Sequence, residues 1–309
     1  MSHTNKMSPA GTTDVWPPLP LAAWQDTCYT LHRWTQVVGK VRLALAPRMN
    51  HWWEVPLYVT ARGLTTSPIP YELRVFEVTF DFIDHVLRIE VDDGAHAEMT
   101  LAPQSVAQFY ERFMAALASL GIKVKIWPMP VEVPDPIRFT HDTASAYDAE
   151  YAQAFWRVLA EADSVFKEFR ARFIGKCSPV HFFWGGFDLA VTRFNGRKAP
   201  PDLYADAMNR ETYSHEVSSA GFWPGSGAVP DAAFYAYMVP APTGYQEASV
   251  RPDKAFYSPD MGLFVYMYDD MRAAPDPHAA LLEFLQSTYE AGANLAEWDR
   301  AALERQAAP

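Results

Sequence analysis

Residues 74–101 constrain the fold more than any other stretch, because their side chains alternate in the way a half-buried sheet requires. Phe76, Val78, Phe80 and Phe82 share one face, and Glu77, Thr79 and Asp81 share the other. Asp84-His85 marks a turn. Leu87, Ile89 and Val91 then alternate with Arg88 and Glu90, Asp93-Gly94 supplies a hairpin turn that wants positive φ, and Ala97, Met99 and Leu101 continue the pattern. The spacing predicts a three-stranded meander with one apolar face. A helix over 104–120 follows, with Val106, Phe109, Phe113 and Leu117 among its helically spaced apolar residues and Gly121 as its stop. Its stripe would cover the meander. The fold class is therefore α+β, with antiparallel sheets and flanking amphipathic helices.

The rest of the chain reads in the same terms. Trp24, Cys28, Leu31 and Val38 predict a helix over 21–38 that stops at Gly39, followed by a strand at Val41–Leu45. Val55–Thr60 reads as a second strand that starts at an edge because of Pro56. Lys123–Trp127 reads as a short strand. Pro128, Pro130, Pro134 and Pro136 then mark a connection. We divide the chain into a tail (1–14), a first α+β half (15–127), a proline-rich connection (128–146) and a second α+β half (147–309). In that second half, Asp148 caps a long helix that Gly175 ends. Strands are expected at 180–194, 213–222, 233–239 and 263–269. Asp276-Pro277 opens another helix, and Glu297 to Arg305 a short amphipathic end.

Local echoes suggest that the halves are duplicated helix–strands–helix units. Gly39-Lys40 is matched by Gly175-Lys176, and His51-Trp52-Trp53 by His181-Phe182-Phe183. Tyr58-Val59-Thr60 is matched by Ala190-Val191-Thr192, with Arg62 and Arg193 just beyond. A pocket would then form most naturally between the halves. Aromatic residues make up 14% of the chain, enough to wall such a pocket as well as fill a core.

The formal net charge of −11, with no basic run, argues against nucleic acid and anionic membrane as partners. The first 14 residues lack the apolar core of a signal peptide, and the two cysteines are too few for a disulfide framework. These features point to the cytoplasm. No glycine-rich phosphate loop with a following Lys-Ser/Thr is present, so no nucleotide cofactor is expected. No His/Cys spacing supports a metal site.

The residues suited to chemistry are polar groups set among rings and glycines. His181 stands before Phe182-Phe183-Trp184-Gly185-Gly186. Tyr213-Ser214-His215-Glu216 is the densest polar cluster, with Trp223 just beyond it. Asn50-His51-Trp52-Trp53-Glu54 places an imidazole beside two indoles. We take His181, His215 and Glu216 as acid–base candidates, because imidazole titrates near neutrality. His51, Trp53, Lys176, Trp184, Arg193, Tyr213 and Trp223 are ligand-binding candidates. On a regular strand His215 and Glu216 face opposite sides, so they would act with partners from elsewhere rather than as a pair. Each histidine can equally be a hydrogen-bonded core residue.

Five stretches are distinctive: Trp24-Gln25-Asp26-Thr27, Asn50-His51-Trp52-Trp53, Gly175 to Gly185, Ser214 to Ser219, and Phe284-Leu285-Gln286-Ser287-Thr288-Tyr289. Together they resemble a bacterial family of unknown function whose members are about as long as this chain. The resemblance implies a bacterial cytoplasmic protein and brings no activity, cofactor or residue role with it. The residues themselves point to an enzyme acting on a small, partly apolar molecule in an aromatic-lined pocket, or alternatively to a non-catalytic binder or sensor of such a molecule.

Overall fold

The computed structural model describes residues 14–226 and 229–305, so the expected tail, Asp14 apart, lies outside the described residues. Among them the chain forms seven α-helices and two antiparallel sheets of six strands each, which is the α+β class read from the sequence.

The first element, α1 (Leu21–Leu45), is longer than its spacing predicted. Gly39 does not stop it, and Val41–Leu45 is its last turn rather than a strand. Every residue from Arg33 to Arg42 is buried, so no polar face remains to reveal the helical period. An alternation over five residues cannot by itself separate strand from helix. Gly39 serves a different purpose: a Cβ there would lie 2.3 Å from Cδ1 of Trp184, so its absence lets the indole pack onto the helix backbone.

The first sheet follows. It comprises β1 (Tyr58–Val59), β2 (Gly63–Thr65), β3 (Ile69–Tyr71), β4 (Arg74–Asp81), β5 (Val86–Val91) and β6 (His96–Thr100). Its order is β1-β2-β4-β5-β6, with β3 also paired to β4. The meander is as expected, with Gly94 at φ 89° in its hairpin. The helix α2 (Val106–Ser119) starts at a reciprocal Ser105–Gln108 capping box and sets Phe109 against Phe80, and Trp34 of α1 stacks on Phe109 at 4.7 Å. The strand expected at Lys123–Trp127 does not form. The Lys123 amide bonds the Tyr71 hydroxyl at 3.0 Å instead of a ladder partner, and Trp127 is exposed.

In the second half, Asp148 caps α3 (Ala149–Ala171) through the amides of Glu150 and Tyr151, at 2.9 and 3.1 Å. The strands β7 (His181–Phe183) and β8 (Asp188–Lys198) come next, then the short α4 (Ala207–Thr212). They are followed by β9 (His215–Trp223), β10 (Ala233–Val239), β11 (Phe256–Ser258) and β12 (Leu263–Met267). The sheet order is β11-β12-β10-β9-β8-β7. After the short α5 (Tyr268–Arg272), α6 (Pro277–Leu295) begins at Asp276 with Pro277 in its first turn, as the sequence suggested, and α7 (Arg300–Leu303) ends the described chain.

One continuous apolar core runs from Trp16 to Trp298 through both halves. Leu57 and Phe182 exchange backbone hydrogen bonds of 2.8 and 2.9 Å, which link the edge of the first sheet to β7. Two of the echoes between the halves sit on unlike elements. Gly39-Lys40 lies inside α1 whereas Gly175-Lys176 lies beyond α3, and His51 occupies a tight loop whereas His181 is on β7.

Because Gly39 is a contact site and not a terminator, Gly39→Ala should destabilise the protein by about 1–3 kcal/mol through overpacking against Trp184, despite the better helix propensity of alanine. A lower thermal midpoint than that of the parent is the expected result.

Candidate functional site

The second sheet packs one face against α3 and α6, and its other face borders a cavity that α1 also lines. Along β8, alternation sends Leu189, Val191 and Arg193 to the helices, and Asp188, Ala190, Thr192 and Phe194 to the opposite side. Register then aligns small residues: Ala190 lies opposite Gly221, and Thr192 opposite Ser219. Their short side chains leave a floor with space above it. Tyr235 and Tyr237 of β10 continue these two rows. The result is a cavity of about 660 Å³, roofed by Lys40 and Leu43 of α1, by the loop carrying His51 to Val55, and by Met208 to Tyr213 at α4.

Gly221 determines the arrangement on this floor. A Cβ there would lie 2.3 Å from the Tyr235 hydroxyl. Without it, Tyr235 crosses the β9 backbone and donates a hydrogen bond to Asp188 on β8. Asp188 is enclosed by protein, and what exposure it retains is toward the cavity. Desolvation pushes its carboxyl up to about 7; the Tyr235 hydrogen bond opposes the shift and the neighbouring Glu132 charge adds to it. The Tyr213 and Tyr237 hydroxyls are 3.0 Å apart, and those of Thr192 and Ser219 are 2.9 Å apart.

Glu132 arrives from the proline-rich segment. Gln36, fully buried on α1, clasps the Val131 backbone on both sides: its Oε1 accepts from the amide at 2.8 Å and its Nε2 donates to the carbonyl at 2.9 Å. This holds Glu132, at φ 56°, at the cavity mouth. The residue as a whole is exposed, but its carboxylate lies against the Cα atoms of Gly185 and Gly186, and the resulting desolvation raises it above the usual carboxylate range. A point at the missing Cβ of Gly186 is 2.7 Å from Asp188 Oδ1 and 3.6 Å from Glu132 Oε2, so the two acids are close neighbours.

His51 and Trp52 both adopt left-handed backbone, at φ 60° and 59°, in a loop folded over Glu54. The Thr212 carbonyl accepts from His51 Nδ1 at 3.0 Å, so Nδ1 carries the proton. Nε2 is left to accept from Lys176 Nζ at 2.7 Å. Burial, and less strongly the Lys176 charge, lower His51 from its ordinary range, which favours the neutral ring.

Of the sequence candidates, His51, Trp53, Trp184 and Tyr213 line the cavity, and Lys176 joins it through His51. The other five do not line it. His181 lies behind Trp53, at 5.7 Å between rings, with both nitrogens lacking a hydrogen-bond partner and burial lowering it to about 3. His215 borders a neighbouring hollow, 5.7 Å from the His51 ring. Glu216, on the other strand face as alternation required, is held by Arg197 at 2.6 Å and Asn195 at 2.6 Å. Arg193 is buried on the helix side, 3.4 Å over the Phe169 ring. Trp223, at the end of β9, packs with Val229, Ala233 and Val265 in a separate small cluster.

Sequence reasoning missed Lys40, Glu132, Asp188, Tyr235 and Tyr237. Asp188 alone carried a local signal, as an acid at the start of an apolar strand just after a glycine pair.

The Asp188 shift implies a pH dependence. Its carboxyl titrates higher folded than unfolded, so its stabilising contribution is complete below pH about 4 and fades as pH rises toward 7. Asp188→Asn should therefore match the parent near pH 4 and become progressively more stable than it up to pH 7, as read from urea unfolding across that range. In comparisons with known proteins, no curated protein and no solved structure matches the chain. A family model described as a family of unknown function, DUF5996, matches residues 16–305, and the chain belongs to that family.

Proposed function

We propose that this protein is an enzyme acting on a small, partly apolar molecule held in the cavity between α1 and the second sheet. The observation that carries this reading is Asp188, a carboxyl titrating at about 7 on the floor of an aromatic-walled cavity. Such a group donates or accepts a proton with comparable ease at neutral pH, which is what general acid–base catalysis requires. Tyr235 fixes its orientation. Glu132, next to it at the mouth and itself raised by desolvation, is the second acid of the site, so one carboxyl can serve as proton donor while the other serves as base. Trp53, Trp184 and Phe194 supply apolar wall, while Thr192, Ser219 and Tyr237 supply polar contacts. His181, His215 and Glu216 are assigned no step.

A cytoplasmic location is part of this proposal. Its support is that Cys28 and Cys177 are free thiols, as a reducing compartment keeps them.

The test is to incubate the purified protein with a small-molecule extract and follow compounds by mass. The parent should convert a compound that Asp188→Asn and Glu132→Gln convert at least about 100-fold more slowly, with both variants keeping a cooperative thermal transition. A compound that binds parent and variants and emerges unchanged would make the protein a binder or sensor. Undiminished turnover in Asp188→Asn would remove Asp188 from the chemistry.

A further inference from the structure

Lys40 is the one buried cation of the central helix with nothing to answer it. The residue is 6% exposed, sits in the interior of α1 and lines the cavity. Its neighbour Arg42 donates to the carbonyls of Pro56 and Thr66, and Arg33 lies 3.6 Å over the Tyr29 ring beside His32 Nδ1 at 3.2 Å. Lys40 has no hydrogen bond or ion pair among the described residues. Its nearest recorded partner is the Trp184 ring, 5.7 Å from Nζ. Helix carbonyls around it are already engaged, and the Trp184 Nε1 is committed to the Val55 carbonyl at 2.7 Å. The Lys40 ammonium is therefore reached only from the cavity, partly desolvated and without a protein counter-charge, so it is the cation available to an anionic group that enters there.

We propose that Lys40 anchors a ligand carboxylate, so that the molecule taken by this cavity is a small monocarboxylic acid with an apolar, ring-sized body. This rests on the reading of the cavity as a substrate site and gives that site a substrate class. A single ammonium matches a single negative charge. No arginine lines the cavity, the N-terminus of α1 is nineteen residues away, and Asp206 already takes the Asn209 amide at the start of α4, so the fork and amide cradle that a phosphate favours are missing. The aromatic walls suit a flat apolar body. With its carboxylate on Lys40, such a molecule presents its remaining polar atoms to Asp188 and Tyr235 on the floor.

Phenylacetate, phenylacetamide and phenethylamine share a skeleton and differ in charge, so they serve as probes. Titration calorimetry at pH 7.5 should show phenylacetate binding at least about tenfold tighter than the amide, the ratio one charge-assisted hydrogen bond gives, with the amine weaker still. Lys40→Met, which keeps the apolar stem, should bring acid and amide to equal affinity. Without ligand it should melt higher than the parent, because an unanswered charge is removed. Equal binding of acid and amide, or a preference for the amine, overturns the carboxylate anchor and leaves the cavity reading standing. Lys40→Met melting lower than the parent shows that Lys40 is answered within the fold, and also overturns it. Binding of none of the three probes removes both readings.

Discussion

The structure depends on the enclosure of α1. Between Arg33 and Arg42 the helix is covered on every side, so each polar side chain there must find a partner in whatever packs against it. Arg42 takes two loop carbonyls and Gln36 takes the Val131 backbone, so the helix fixes segments that lack a ladder of their own. Lys40 finds no such partner, and it is also where the helix meets the cavity. The same constraint explains Gly39: where rings must reach the helix axis, the side chain is dispensed with.

The cavity arises because small residues stand in place of large ones across two adjacent strands, β8 and β9. Ala190, Gly221, Thr192 and Ser219 occupy positions that Phe or Leu would fill in an ordinary sheet-on-helix core. What stands over them is a tyrosine laid across a glycine onto an aspartate. Burial makes that aspartate titrate in a useful range, and the tyrosine fixes its direction.

Much of the fold was legible because local signals agreed with their surroundings. The meander alternates, Asp148 and Asp276 cap helices, and Asp93-Gly94 turns, all within a few residues of sequence. The failures came where tertiary contacts overrode local pattern, at Val41–Leu45 inside the enclosed helix and at Lys123–Trp127, whose first amide bonds a tyrosine hydroxyl. For the site, polar residues flanked by rings drew attention to His51, Trp53, Lys176, Trp184 and Tyr213. Asp188, Tyr235 and Glu132 stayed hidden. The meeting of the first two depends on cross-strand register, and the placement of Glu132 depends on a glutamine 96 positions earlier in the chain.

The reciprocal bond pair between Leu57 and Phe182 has an effect beyond joining two halves. An open sheet edge invites strand addition by another chain, and two separate sheets ordinarily present four. Here the edge beginning at β1 and the edge at β7 occupy each other. At that junction the two edges satisfy each other's backbone groups instead of leaving them open to a strand from another chain.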